Sequence, residues 1–268
     1  MIVAAVVLTA APAFVRAIGS EVKRYGTDAA AMARAPLTWD DAMWKRVGLV
    51  LAADGVAFAA DGDVADAVQR NRTHVSGEFS SVVTPFGARR ALDISAATLL
   101  AELLAHNTGM RDTGRDAVEA SILAAGIITP ALKRAVGRSR PIAGQGAYAF
   151  DPFSGNASFP SGHATNAFAV ASVFAAHSKG WVVPTIAYTL ATGVAASRMN
   201  DHVHYTSDVI AGAAIGTAVG RSIVARHRRG AAPRDAASAV TWMIVPAGGG
   251  AMVEISIPFE RIHALARR

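Results

Sequence analysis

An all-α helical bundle with a small C-terminal β-hairpin is the fold class that this sequence predicts, and three observations carry it. Apolar, alanine-rich stretches of helical length recur between residues 47 and 227, most of them closed by glycine, asparagine or proline. β-prone segments are confined to the chain beyond residue 239. Hydrophobic residues make up 52% of the 268 and charged residues 17%, with alanine and glycine carrying much of the excess, which is enough for one domain of ordinary to large size.

The elements follow in order. Residues 2–15 are uncharged and apolar, and Ala11-Pro12-Ala13 resembles a cleavage site. Without a basic stretch before them, they read equally as a signal peptide and as a buried N-terminal helix. Residues 16–46 form a polar lead-in with short helices, and residues 47–228 form the helical domain. Val47–Ala60 is its first helix, broken by Asp61-Gly62-Asp63. The acidic run Asp61, Asp63, Asp66 lacks the ligand pattern of a calcium loop and reads as an exposed turn. Leu92–His106 is a helix closed by Asn107 and Gly109. Asp116–Val136 is another, acidic in its first turn and basic in its last, with Pro130 predicting a kink or break. Gly144–Phe159 is a glycine-rich loop. Ala164–His177, Trp181–Ala196 and Thr206–His227 are three further helices, and Gly212, Gly216 and Gly220 on the last mark a close-packing face. Residues 229–268 are a basic linker followed by two β-prone segments around Gly248-Gly249-Gly250.

The longest uncharged run, Gly180–Ser197, has 18 residues and contains Pro184. A spanning helix needs about 20 apolar residues. The expectation is a soluble or membrane-associated domain rather than an integral multi-span protein. The absence of cysteine excludes disulfides, thiolate catalysis and cysteine-ligated zinc. The net charge of +6 suits anionic substrates or an anionic lipid surface. No basic face interleaved with aromatics is present, so nucleic acid is not an expected partner.

Three short segments carry chemistry. Lys133 and Arg140, before Pro141, are seven residues apart, which is two helical turns on one face. An ammonium and a planar fork can grip several oxygens of one phosphate, although two cations near a helix end also suit the dipole alone. Pro160-Ser161-Gly162-His163 precedes a helix whose first N–H groups form an anion site. Ser161 adds a hydroxyl, Gly162 permits close approach and His163 sits over the anion. Ser161 could equally be a plain N-cap. In the third segment Ser197-Arg198 ends a helix, and His204 and Asp208 are four residues apart, sharing a face if helix covers both. A carboxylate beside an imidazole fixes its tautomer. His202 reads as a bystander. No dense carboxylate and histidine cluster suited to two metals is evident, and the expected metal set is empty.

Order and spacing together, K-x6-RP, then PSGH, then SR-x5-H-x3-D, resemble the type 2 phosphatidic acid phosphatase and vanadium haloperoxidase superfamily. The resemblance covers residues 133–208. It implies a helical bundle with the site in its core. Lys133, Arg140 and Arg198 would hold phosphate oxygens, and Ser161 and Gly162 would complete the cradle. His204 would attack phosphorus to form a phosphohistidine, with Asp208 orienting it. His163 would protonate the leaving oxygen and then activate water. No cofactor is implied, and vanadate is expected to bind as an inhibitor. The substrate would be a lipid, isoprenoid or small soluble phosphate ester, and the enzyme would be periplasmic or membrane-associated with its site outside the cytoplasm. Two alternatives stand beside the phosphatase: a vanadium-dependent haloperoxidase, and an inactive phosphate- or phospholipid-binding module on the same fold.

Overall fold

The protein is described by a computed structural model, which covers residues 19–105, 108–230, 241–247 and 250–256. The expected signal peptide or N-terminal helix at residues 1–15 lies outside these residues. The helices are α1 (19–34), α2 (Asp41–Ala59), α3 (Asp61–Arg70), α4 (His74–Val83), α5 (Arg89–Ala105), α6 (Thr108–Ser121), α7 (Thr129–Val136), α8 (Gly162–His177), α9 (Val182–Asn200) and α10 (Thr206–Gly230). Beyond them, Thr241–Ala247 and Gly250–Ser256 run antiparallel to each other.

Helix α8 is the axis of the bundle. Its sequence is apolar all round, so it has no solvent face to offer and must be covered on every side. Ala169 and Val173 pack with Ala117, Ala120 and Leu123 from the α6 side and with Val219, Ile223 and Val224 of α10. On another flank Ala167 and Ala171 meet Ala191 and Val194 of α9. Alanine in these seams lets the backbones approach closely. The extreme case is α10 against α8, where the glycine spacing expected to mark close packing does so. A Cβ on Gly216 would lie 2.2 Å from the Thr165 carbonyl oxygen, and Gly212 and Gly220 are similarly closed off.

The helical backbone continues without a gap through Pro130. The turn before it widens into a π-helix, Ile122–Ile128, and Pro130 then sits in the first turn of α7, where its missing N–H costs little. Asp61-Gly62-Asp63 is corrected more strongly. It is not an exposed turn but the start of α3, and Asp61 is fully buried. A buried ion pair with Arg138, 2.8 Å away, draws it in.

The outer surface retains large apolar side chains. Leu49, Leu51 and Val56 on α2 are 65–73% exposed, as are Trp181 (77%) and Ile186 (63%) beside and on α9. No residue of α2 is buried. Thr206–Arg229 is the one helix among the described residues long and apolar enough to cross a membrane, and 44% of its apolar 18-residue window is buried inside the bundle.

Gly216→Ala is expected to destabilise the protein by about 1–3 kcal/mol, because the added methyl must push α10 away from a backbone carbonyl. Gly48→Ala, with no atom within 4 Å of the new methyl, serves as the control and should be neutral or slightly stabilising. Thermal unfolding of the full chain checks both; equal melting temperatures for the two variants would refute this account of the seam.

Candidate active site

The site lies where the N-terminus of α8, the C-terminus of α9 and the N-terminus of α10 meet. Ser161 is the N-cap of α8, and its Oγ accepts from the Ala164 N–H at 3.5 Å. The Ser161 N–H donates to the Asp208 carbonyl oxygen at 2.8 Å, which joins the second motif segment to the third. The remaining N–H groups at the start of α8 are disposed to meet an anion. A Cβ on Gly162 would make only ordinary contacts, 3.6 Å from Thr129 and 3.9 Å from Lys133, so packing does not demand glycine there. Gly87 is the tighter case, because a Cβ on it would lie 2.8 Å from the His163 carbonyl oxygen.

His204 and Asp208 do not share a helical face. Helix α10 begins at Thr206, and Asp208 occupies its first turn. Its Oδ2 accepts from the Tyr205 N–H at 2.9 Å, in the manner of a capping box that folds the preceding residues back over the helix start. This brings His204 Nδ1 to 3.4 Å from Asp208 Oδ2, within ion-pair range but not aligned as a hydrogen bond. His204 is buried, and Nδ1 faces the carboxylate, so Nε2 is the nitrogen left for chemistry.

Lys133 and Arg140 also reach the site differently from the sequence reading. They are not two turns apart on one helix face. Helix α7 ends at Val136 because Gly137 adopts φ +60°, and a side chain there would collide with the Asp151 carbonyl. Arg140 follows in extended backbone. The Lys133 ammonium donates to the carbonyls of Ala157 and Ser158, the latter at 3.2 Å. Arg198, in the last turn of α9, donates from one guanidinium nitrogen to Asp201 at 3.0 Å and Thr84 at 3.2 Å, and its buried Nε has no partner.

The charges of these groups converge. Burial, followed by the positive fields of Arg198, His204, Lys133 and Arg140, lowers His163 to about 4. Burial likewise brings His204 to about 4, with Lys133 and Arg140 adding to it and Asp208 opposing. Burial and Arg140 pull Lys133 down to about 8. Burial pushes the Asp208 carboxyl up, but His204, Arg138 and Ser158 outweigh it and hold it below the ordinary carboxylate range. Three cations and two neutral imidazoles around a helix N-terminus make a setting suited to a multiply charged anion.

All eight sequence-expected residues therefore meet: Lys133, Arg140, Ser161, Gly162, His163, Arg198, His204 and Asp208. His202 stays apart, its backbone at φ +59° and its carbonyl accepting from Ile142 N–H. Sequence reasoning missed the layer beneath. Arg138, fully buried, donates to Asp208 Oδ1 and to Asp61 Oδ2, both at 2.8 Å. Ser158 Oγ donates to Asp208 Oδ2 at 2.6 Å. Arg138 stood with Arg134 between Lys133 and Arg140, and spacing alone gave it no distinct role.

One carboxylate and histidine cluster was also missed. Asp28, Glu119 and His227 hold ligand atoms within 4.8 Å of one another. They lie at the far end of α8, beside His177, which is fourteen residues or about 21 Å along the helix from His163. Arg226 and Arg24 already meet Asp28 and Glu119 at 2.7 and 2.9 Å.

Comparison with known proteins agrees with the motif. The family model described as PAP2 superfamily matches residues 117–230. A lipid A 1-phosphatase of Rhizobium etli is 41% identical over 101 residues, and one of Rhizobium johnstonii is 40% identical over 101. These alignments cover 36% of this chain and 43% and 41% of the relatives, so the chain spans less than half the length of the curated relatives it matches. In fold it is similar to LpxE of Aquifex aeolicus, with TM-score 0.50 and 19% identity over 61% of this chain and 93% of that one. It is also similar to the first transmembrane PAP2 type phosphatidylglycerolphosphate phosphatase from Bacillus subtilis, with TM-score 0.51 and 20% identity over 80% and 98%. The part of the chain that matches the PAP2 superfamily is thus residues 117–230, the helical core that carries all three motif segments.

Proposed function

We propose that the protein is a metal-independent phosphatase that hydrolyses a phosphate ester carried by a lipid. The observation that carries this reading is the meeting of the His204–Asp208 pair with His163 and three cations at the N-terminus of α8. The phosphate oxygens lie against Lys133, Arg140, Arg198 and the first N–H groups of α8. His204 Nε2 attacks phosphorus, and the P–O bond to the leaving group breaks. His163 gives its proton to the departing oxygen. The product is an Nε2-phosphohistidine whose Nδ1–H faces Asp208, so the positive charge on the ring is met by a carboxylate. Water then attacks phosphorus, His163 takes its proton, the P–N bond breaks, and inorganic phosphate leaves. The fixed cations do the electrostatic work that metal ions perform in other phosphoryl transfers.

Two features support a lipid as the carrier. The curated relatives are lipid A 1-phosphatases. The exposed apolar side chains of α2 and of the Trp181–Ile186 stretch form the kind of surface that a lipid environment covers. The protein would then be membrane-associated, with its site at the headgroup level on the outer face of the membrane.

Wild-type protein should release phosphate from a lipid phosphate in the presence of EDTA, and abolition by EDTA would refute metal independence. His204→Ala should remove activity. His163→Ala should let an acid-labile phosphoenzyme accumulate with a substrate whose leaving group needs no proton. Wild-type rates in His204→Ala, or an acid-stable adduct, would refute the nucleophile.

The pH dependence has a defined sign. His204 must be neutral to attack, so activity falls as pH drops through its value of about 4. His163 must be protonated to donate, but in the free protein it too has a value of about 4. Burial is the first cause of that low value and the cations the second; a bound phosphate dianion offsets the cationic field, so the value rises in the complex. The kcat profile should be bell-shaped, and its alkaline limb should lie at higher pH than that of kcat/KM. A flat profile between about pH 4 and 9, or coincident limbs, would refute the assignment of opposite roles.

A further inference from the structure

Asp208 must hold one oxygen toward His204 while the other is kept from turning. Ser158 Oγ and the Tyr205 N–H hold Oδ2, at 2.6 and 2.9 Å, and Arg138 holds Oδ1. Arg138 is buried with no exposed surface, and its two terminal nitrogens fork: one donates to Asp208 Oδ1 at 2.8 Å and to Ser207 Oγ at 2.7 Å, the other to Asp61 Oδ2 at 2.8 Å and the Ala147 carbonyl at 2.7 Å. The guanidinium lies over the Tyr205 ring, 4.3 Å from its centroid. Asp61, at the start of α3, accepts from the Ser207 N–H at 3.0 Å and from Ser207 Oγ. Residues 205, 207 and 208 are thus all gripped by this one pair, and they are the residues that set where His204 sits.

A buried ion pair is weak grounds for stability, because desolvation offsets most of its attraction. A planar fork that fixes the angle between two carboxylates is a geometric device, and lysine could not replace it. We propose that Asp61 and Arg138 are positioning residues for the nucleophile: they lock the Asp208 carboxylate and the turn into α10 so that His204 is held as the Nδ1–H tautomer with Nε2 free. This rests on the phosphatase reading. Neither residue touches the phosphate, so their effect is on turnover and on the imidazole rather than on anion binding.

The test uses the full chain and three variants: Asp61→Asn, Arg138→Lys and the double variant Asp61→Asn with Arg138→Met. The double variant removes the Asp61–Arg138 pair together but leaves Asp208 without its guanidinium, whereas Asp61→Asn alone keeps the Arg138–Asp208 pair and is read in its place if the double variant does not fold. Turnover at saturating lipid phosphate should fall by on the order of tenfold or more in each, the scale seen when the partner that orients a catalytic imidazole is lost. Inhibition by inorganic phosphate should stay within about threefold of wild type, because the Lys133, Arg140 and Arg198 cradle is untouched. 15N-histidine NMR, with the His204 signal assigned by His204→Ala, should show a single Nδ1–H tautomer in wild type and a mixture in the variants. Wild-type turnover in a folded double variant overturns the proposal. So does a loss of phosphate affinity that parallels the loss of turnover. If the wild type releases no phosphate from any ester, the phosphatase reading fails, and the tautomer signal decides: unchanged in the variants, it overturns the positioning role; mixed, it supports it.

Discussion

The close packing of α10 on α8 is the constraint on which the site depends. The Ser161 N–H to Asp208 carbonyl bond ties the cap of one helix to the first turn of the other at 2.8 Å. That bond forms only where the two backbones nearly touch, and Gly212, directly above Ser161, is what permits it: a Cβ there would lie 2.7 Å from the Ser161 carbonyl oxygen. With the seam closed, the N-terminus of α8 and the His204–Asp208 turn are joined by backbone. The proposed phosphate cradle and the proposed nucleophile are therefore not two sites that must find each other but two ends of a single helix contact.

Electrostatics then follows from burial. Packing the imidazoles of His163 and His204 among Lys133, Arg140 and Arg198 leaves both rings neutral near physiological pH. In the proposed reaction this is the reactive form for His204. For His163 it would be the wrong form until a phosphate supplied negative charge at close range. On that proposal the dianion to be cleaved raises the proton affinity of the group that would protonate its leaving oxygen, which would couple recognition to chemistry.

The legible part of the fold was the part with strong local signals. Alanine-rich periodic stretches gave α8, α9 and α10 within a few residues, and the glycines at i, i+4, i+8 gave the seam. The eight motif residues were legible because order and spacing survive folding. What local pattern could not show was any relation made by tertiary burial. Asp61 followed an apolar helix and preceded a glycine, so sequence placed it in solvent; only the distant Arg138 explains its burial. Lys133 and Arg140 carried helical spacing, but Gly137 sits between them with positive φ and redirects the chain. The lead-in at residues 16–46 read as short helices, yet residues 19–34 form one helix, and its partners Glu119, Arg226 and His227 are remote in sequence.

Those partners complete the logic of the bundle. At the far end of α8, His227 places Nδ1 2.6 Å from Asp116 and Nε2 2.9 Å from Asp28, so both ring nitrogens face carboxylates and the charged imidazolium is favoured; its affinity for protons is raised accordingly. His177 adds a second contact to Asp116 at 2.9 Å. Four helices, α1, α6, α8 and α10, are pinned there by charge. At the opposite end Arg138 pins α3 and α10 to the Gly137–Asp151 segment. Between the two polar clamps the packing is mostly alanine, valine and glycine, with Leu123 and Ile223, and it has little directional preference of its own. A seam of small apolar residues could slide by a turn and remain buried. Charged clamps at both ends remove that freedom, and the register they impose is the one in which the Asp208 carbonyl meets the Ser161 N–H.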